Sequence, residues 1–262
     1  MSTVLSVQNL QHQYAGVHAL RGVTFELQQG ECVALIGPNG AGKSTCFACL
    51  AGQQNATSGQ VIWRNHNLMQ VPVTERRALG IGRTFQVAQV FEALTVIQNL
   101  QLVLKANTGV SALDTLDDGD HELALAWAQT MGLEELGLDA LDGLAAHLSY
   151  GNKKRLELAM AMAGLPHPDQ GLLLLDEPAA GLSPDERFDM MTRIRMLTQK
   201  GTTVLYTEHN MDAVFGVADR VLVLMEGQLL AQGLPEDMAA HPEVRERYLG
   251  SSFALTERGR HA

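Results

Sequence analysis

The stretch Gly37, Pro38, Asn39, Gly40, Ala41, Gly42, Lys43, Ser44, Thr45 carries the pattern G-x-x-x-x-G-K-S. Glycines at these positions let the backbone turn tightly and aim its amides at a polyphosphate. Lys43 is long enough to reach β and γ phosphates, and the Ser44 hydroxyl is a hard oxygen ligand for Mg²⁺. Asp176 and Glu177 follow the aliphatic run Leu172 to Leu175, which suits a strand buried on both faces with acids emerging at its carboxyl end. An Asp-Glu pair alone is common at strand ends and helix caps. With Lys43 upstream, it reads as a magnesium-ordering carboxylate followed by a group that polarises water against the γ-phosphate. Ser149 and Gly151 open the segment ending at Ala163, where a helix start can present hydroxyl, amides and dipole to an anion. Ser149 would serve equally as an ordinary N-cap.

These residues need strands before them and helices after them. Cys32 to Ile36 is a buried-strand pattern leading into the glycine loop, and a helix with Phe47 and Leu50 follows it. Before it, Val4, Leu5 and Val7, then a turn, then Val23, Phe25 and Leu27 read as strands; Val61 to Trp63 reads as another. From about residue 87 to 165 the pattern turns helical, with Val96, Ile97, Leu100, Val103 and Leu104 at helical spacing. Ala106 to Asp120 within it reads as a solvated loop. Further on, Thr203 to Tyr206 and Val221 to Met225 are strands, and Pro184 to Lys200 is an amphipathic helix. Strand alternating with helix is the rhythm of an α/β layer.

A chain of 262 residues, 46% hydrophobic, can bury a full core. No apolar run approaches the length of a membrane span, and the early Gln and Asn residues do not suit a secretory signal, so a soluble, intracellular chain is expected. The formal charge of −10 disfavours nucleic acid or anionic lipid as a primary partner. Cys32, Cys46 and Cys49 cannot build a paired framework; Cys46 and Cys49 resemble half of a zinc ligand set, but no second pair has matching spacing.

The order of these motifs resembles the ATP-binding cassette family over nearly everything from Leu5 to Gly250: an aromatic at Tyr14, the glycine loop, Gln86, the signature Leu148 to Asn152, Asp176 with Glu177, and His209. The resemblance implies an α/β fold with a P-loop NTPase core and parallel sheet, an N-terminal antiparallel β subdomain and an inserted helical subdomain. One ATPase domain would span 1–250, with its core at 1–86 and 166–250, the helical part at about 87–165, and 251–262 as a flexible tail. It implies a Mg²⁺-dependent ATPase in which Tyr14 stacks on adenine, Gly37 to Thr45 hold the phosphates, and Ser44, Gln86 and Asp176 attend the metal. Glu177, His209 and Lys43 would act in catalysis, His209 contacting the γ-phosphate. Ser149 and Gly151 would face the nucleotide of a second cassette, identical or paralogous. Tyr150 and Asn152 depart from the family's Leu-Ser-Gly-Gly-Gln, and Ser183 stands where many members have Asp.

Gly80 to Gln86, the run D-E-P-A-A-G-L at 176–182 and the tail from His241 to Gly250 resemble the branched-chain amino acid and urea importers. That branch implies permease subunits, indirectly a periplasmic binding protein, and a place on the cytoplasmic face of the membrane. The apolar stretch between Gln86 and Asn99 would receive the permease helices or serve simply as core. Non-transport members of the family, translation or repair factors, differ in carrying two cassettes or long coiled coils, neither of which is seen here. A regulatory subunit without turnover is disfavoured by Glu177 and His209 together.

Overall fold

The computed structural model describes residues 2–106 and 118–250. Its first strands, β1 (Thr3–Tyr14) and β2 (Val17–Gln28), form a hairpin turning at Ala15 and Gly16, both at positive φ (42° and 93°). Two left-handed residues in the turn match the twist of the paired strands. The turn expected soon after Val7 is absent: β1 continues to Tyr14. Register shifts on either side of Leu10, with Asn9 at φ 49°, break the alternation that would have revealed its full length.

After β2 come β3 (Cys32–Ile36), α1 (Lys43–Ala51), β4 (Ser58–Trp63), β5 (His66–Asn67), α2 (Val73–Arg76) and β6 (Ile81–Arg83). A helical segment follows with α3 (Val96–Lys105), α4 (Asp118–Thr130), α5 (Leu138–Leu141) and α6 (Tyr150–Ala163). The chain then alternates through β7 (Leu172–Asp176), α7 (Pro184–Gln199), β8 (Thr203–Thr207), α8 (Met211–Val217), β9 (Arg220–Met225) and β10 (Gln228–Gly233), and ends in α9 (Pro235–Ala240), α10 (Pro242–Val244) and a π-turn, Arg245–Leu249. The expected solvated loop falls largely on residues 107–117, and the expected tail on 251–262, outside the described residues.

Two sheets result. An antiparallel one has order β2-β1-β4-β5; the other has order β10-β9-β3-β8-β7-β6, parallel except for β10. Side-chain alternation along the parallel strands divides the core in two. Val33, Leu35, Leu172, Leu174, Leu205 and Leu222 join the antiparallel sheet and α1 in one cluster; Cys32, Ala34, Leu173, Leu175, Val204 and Val223 join α3, α6 and α7 in the other. Burial on both faces explains the unbroken aliphatic runs. β3, β6, β7 and β8 therefore run the same way, and their carboxyl ends reach one rim.

Local caps set where helices begin. Thr95 and Gln98 form a reciprocal capping box, so α3 starts at Val96 and residues 84–95 remain irregular. Ser183 and Glu186 do the same for α7, with Pro184 in its first turn. Ser183, which stands where many members of the resembled family have aspartate, thus keeps a capping oxygen. Among the described residues, no helix is long and apolar enough to cross a membrane.

Candidate functional site

At the end of β3, Gly37 has φ 148°, and a Cβ there would stand 2.1 Å from the Leu224 carbonyl oxygen. Gly42, at φ 103° and N-cap to α1, would place one 2.6 Å from the Ala19 carbonyl. Both positions exclude a side chain by collision as well as by torsion. Ala41 is buried and its carbonyl accepts from the Gly227 amide, while Asn39, Gly40 and Ser44 are exposed and Pro38 and Thr45 half-buried. The lysine turns inward. Lys43 Nζ donates to the Gly37 carbonyl at 2.7 Å and the Pro38 carbonyl at 3.1 Å. Burial lowers its pKa, opposed by the Glu177 and Asp176 carboxylates nearby. No acid occupies the first turn of α1, so the amides and dipole of that helix start favour an anion.

The ends of β7 and β8 build the second half. Thr207, buried, donates its hydroxyl to Asp176 Oδ1 at 2.8 Å and accepts from the Glu177 amide at 3.0 Å. Arg83, from the end of β6, approaches Asp176 Oδ2 at 3.7 Å. Glu177 sits at φ 48°, a conformation that costs a non-glycine residue about 1 kcal/mol or more. Its carboxylate is held on both sides. His209 Nε2 lies 3.0 Å from Oε1, and the Gln86 side-chain amide donates to Oε2 at 3.1 Å. With its nitrogen committed to a carboxylate, Gln86 keeps its carbonyl oxygen for other partners. Glu208, buried, accepts from the amides of Ala179, His209 and Asn210. It ties the 178–182 segment to the histidine loop.

The donors available for a cation are the Ser44 hydroxyl, the Gln86 carbonyl and the Asp176 carboxylate. This all-oxygen set suits Mg²⁺, which keeps water or phosphate oxygens in most of its coordination sphere.

Tyr14, Ser149 and Gly151 are not drawn into that cluster. Tyr14, at the end of β1, hydrogen-bonds Gln54 and meets His12 edge-on with ring centroids 4.4 Å apart, while staying 44% exposed. Ser149 accepts from the Asn152 amide as N-cap of α6 and is itself exposed. Gly151 is buried, and a Cβ on it would meet Glu186 Oε1 at 2.6 Å. The atypical Tyr150 has a partner. Its hydroxyl donates to the Gln86 backbone carbonyl at 3.1 Å.

Sequence reasoning missed Arg83, Thr207, Glu208, Lys154 and Glu157. Thr207 and Glu208 could have been suspected from their adjacency to His209. Lys154 and Glu157 left only a faint signal: two of the four charges, with Lys153 and Arg155, in the first part of a helix that continues in Leu, Ala and Met.

The family model described as ABC transporter matches residues 20–180. The high-affinity branched-chain amino acid transport ATP-binding protein LivG of Escherichia coli (strain K12) is 37% identical over 259 residues, covering 95% of this chain and 98% of that protein. Its counterpart BraF of Pseudomonas aeruginosa is 32% identical, with the same coverage of 95% and 98%. A solved nucleotide-free ATP-binding cassette from an ABC transporter superimposes with TM-score 0.81 at 29% identity, covering 95% of this chain and 100% of that one. A structure of the ADP conformation of an ATP-binding cassette of an ABC transporter gives TM-score 0.83 at 28% identity with the same coverage.

Proposed function

The chain belongs to the ABC transporter family, and we propose that it is the ATP-hydrolysing subunit of an importer for branched-chain amino acids or a related amide such as urea. The observation that carries the chemistry is Glu177, suspended between Gln86 and His209 on the rim that also bears Lys43. The substrate class rests on the likeness to LivG and BraF.

ATP binds along the glycine loop from Gly37 to Thr45, and Lys43 exchanges the Gly37 and Pro38 carbonyls for phosphate oxygens. Tyr14 stacks on the adenine. Ser44, Gln86 and Asp176 are the residues that would hold Mg²⁺, which would neutralise charge on the β and γ phosphates. Glu177 orients the attacking water and draws its proton, and His209 turns its Nε2 from Glu177 to contact the γ-phosphate when ATP is bound. Thr207 fixes the Asp176 carboxylate against the Glu177 backbone amide. Ser149 and Gly151 contribute from a second cassette, identical or paralogous, so the phosphates join two acidic chains and hydrolysis parts them. One ATPase domain comprises core 1–86 and 166–250 with a helical part at about 87–165.

The chain works at the cytoplasmic face of a membrane, held there by permease subunits. Phe85, Val87 and Phe91, exposed on the irregular segment after β6, offer those subunits an apolar contact. A periplasmic receptor would supply the cargo. Deleting the gene should abolish high-affinity uptake of labelled leucine, isoleucine and valine, or of urea, and wild-type but not Lys43→Ala protein should restore it. Unchanged uptake of all four in the deletion strain would refute the import reading.

A further inference from the structure

We propose that Glu157 is a positioning residue for the Gln86 loop, gripping its backbone from α6 so that the Gln86 side chain stays on Glu177. The inference rests on the ATPase reading above.

Between Thr84, whose amide still donates to the Leu174 carbonyl of β7, and Thr95, which bridges Leu144, residues 85–94 lie in no helix or strand, so most amides of this segment need acceptors from elsewhere. Glu157 supplies one oxygen for two of them: its Oε1 accepts from Phe85 N and Gln89 N, each at 3.1 Å. Those two amides bracket Gln86. Lys154, one turn earlier on α6, donates to the Phe85 carbonyl at 2.7 Å. Tyr150, a turn earlier again, donates to the Gln86 carbonyl. Positions 150, 154 and 157 recur at helical spacing and share one face. The loop is thus held at three successive points by a single helix.

Packing alone does not call for this carboxylate. Glu157 is 4% exposed and borders the same small space as Leu158, Leu175 and Met190, where an aliphatic side chain would itself be buried without a desolvation cost. Burial raises its pKa to about 7 against the opposing pull of Lys154 and the two backbone amides. Its other oxygen and the Thr84 hydroxyl have no protein partner, and both residues line a cavity of about 10 Å³, room for one water. What the grip preserves is the 3.1 Å bond from Gln86 to Glu177.

The test compares E157Q, which keeps an accepting oxygen, with E157L, which has none, and E157D, which keeps the charge but is one methylene short. Purified proteins are assayed for Mg-ATP hydrolysis, for binding of a fluorescent ATP analogue, and for thermal unfolding. E157Q should turn over within about threefold of wild type, while E157L and E157D lose about tenfold or more in kcat with KM and analogue affinity within about twofold. E157L or E157D matching wild type would overturn the proposal. So would equal loss in all three, or a loss appearing in KM and affinity. If E157L does not fold, the Asp and Gln variants alone discriminate. A wild-type protein that binds no ATP analogue would instead refute the ATPase reading, an outcome distinct from failure of the grip.

Discussion

The glycine loop and the Glu177 cluster share one rim but are made in opposite ways. The loop is a single run of chain whose shape follows from its own residues: Gly37 and Gly42 adopt torsions and approaches that only glycine tolerates, and Lys43 closes back on carbonyls five and six residues away. The cluster is assembled from three strand ends. Gln86 and Glu177 are 91 residues apart in sequence, and Asp176 and Thr207 are 31 apart. A contiguous motif announces itself by spacing; an assembled one depends on strand order and register.

Substitutions on the two sides should separate binding from chemistry. The largest effect is expected for Glu177→Gln, which should lower turnover by about 10²- to 10⁴-fold while leaving ATP affinity and ATP-dependent dimerisation intact. Steady-state hydrolysis and sedimentation with ATP would check it. An ATP-bound mutant that stays monomeric at micromolar concentration would break the separation. Lys43→Ala removes charge-assisted bonds to phosphate and should weaken ATP binding by about 10- to 100-fold, read by fluorescence titration. Undiminished binding would mean that the loop amides suffice without the lysine. The smallest effect sharpens the comparison. Thr207→Val removes the hydroxyl that joins Asp176 to the Glu177 amide in a buried place, and should cost about 1–3 kcal/mol in stability by denaturant unfolding. Its kcat should fall with little change in ATP affinity, since no part of the glycine loop depends on it.

Much of the fold was legible. The aliphatic runs at Cys32 to Ile36, Leu172 to Leu175 and Thr203 to Tyr206 all became buried parallel strands, because burial on both faces leaves an unmistakable composition. The N-terminal strand was cut short because irregular register around Leu10 erased the period-two signal. Helix α3 begins at Val96 rather than near residue 87, since the Thr95 cap and the irregular loop before it carry apolar residues without helical geometry. Val96 is buried, yet Val87 and Phe91 are exposed. Apolar character alone did not distinguish core from surface there.

The glycine loop, the strand-end acids and the alternating α/β architecture were readable from residue order, since local torsion and side-chain burial are written into neighbouring positions. The support around them was not. That Thr207 bridges Asp176 and Glu177, that Glu208 gathers three amides, and that Tyr150, Lys154 and Glu157 grip the Gln86 loop are consequences of parallel pairing and helix placement. Side chains so distant along the chain meet only after the core has set the relative position of the strands and α6, and no spacing along one strand of sequence encodes that meeting.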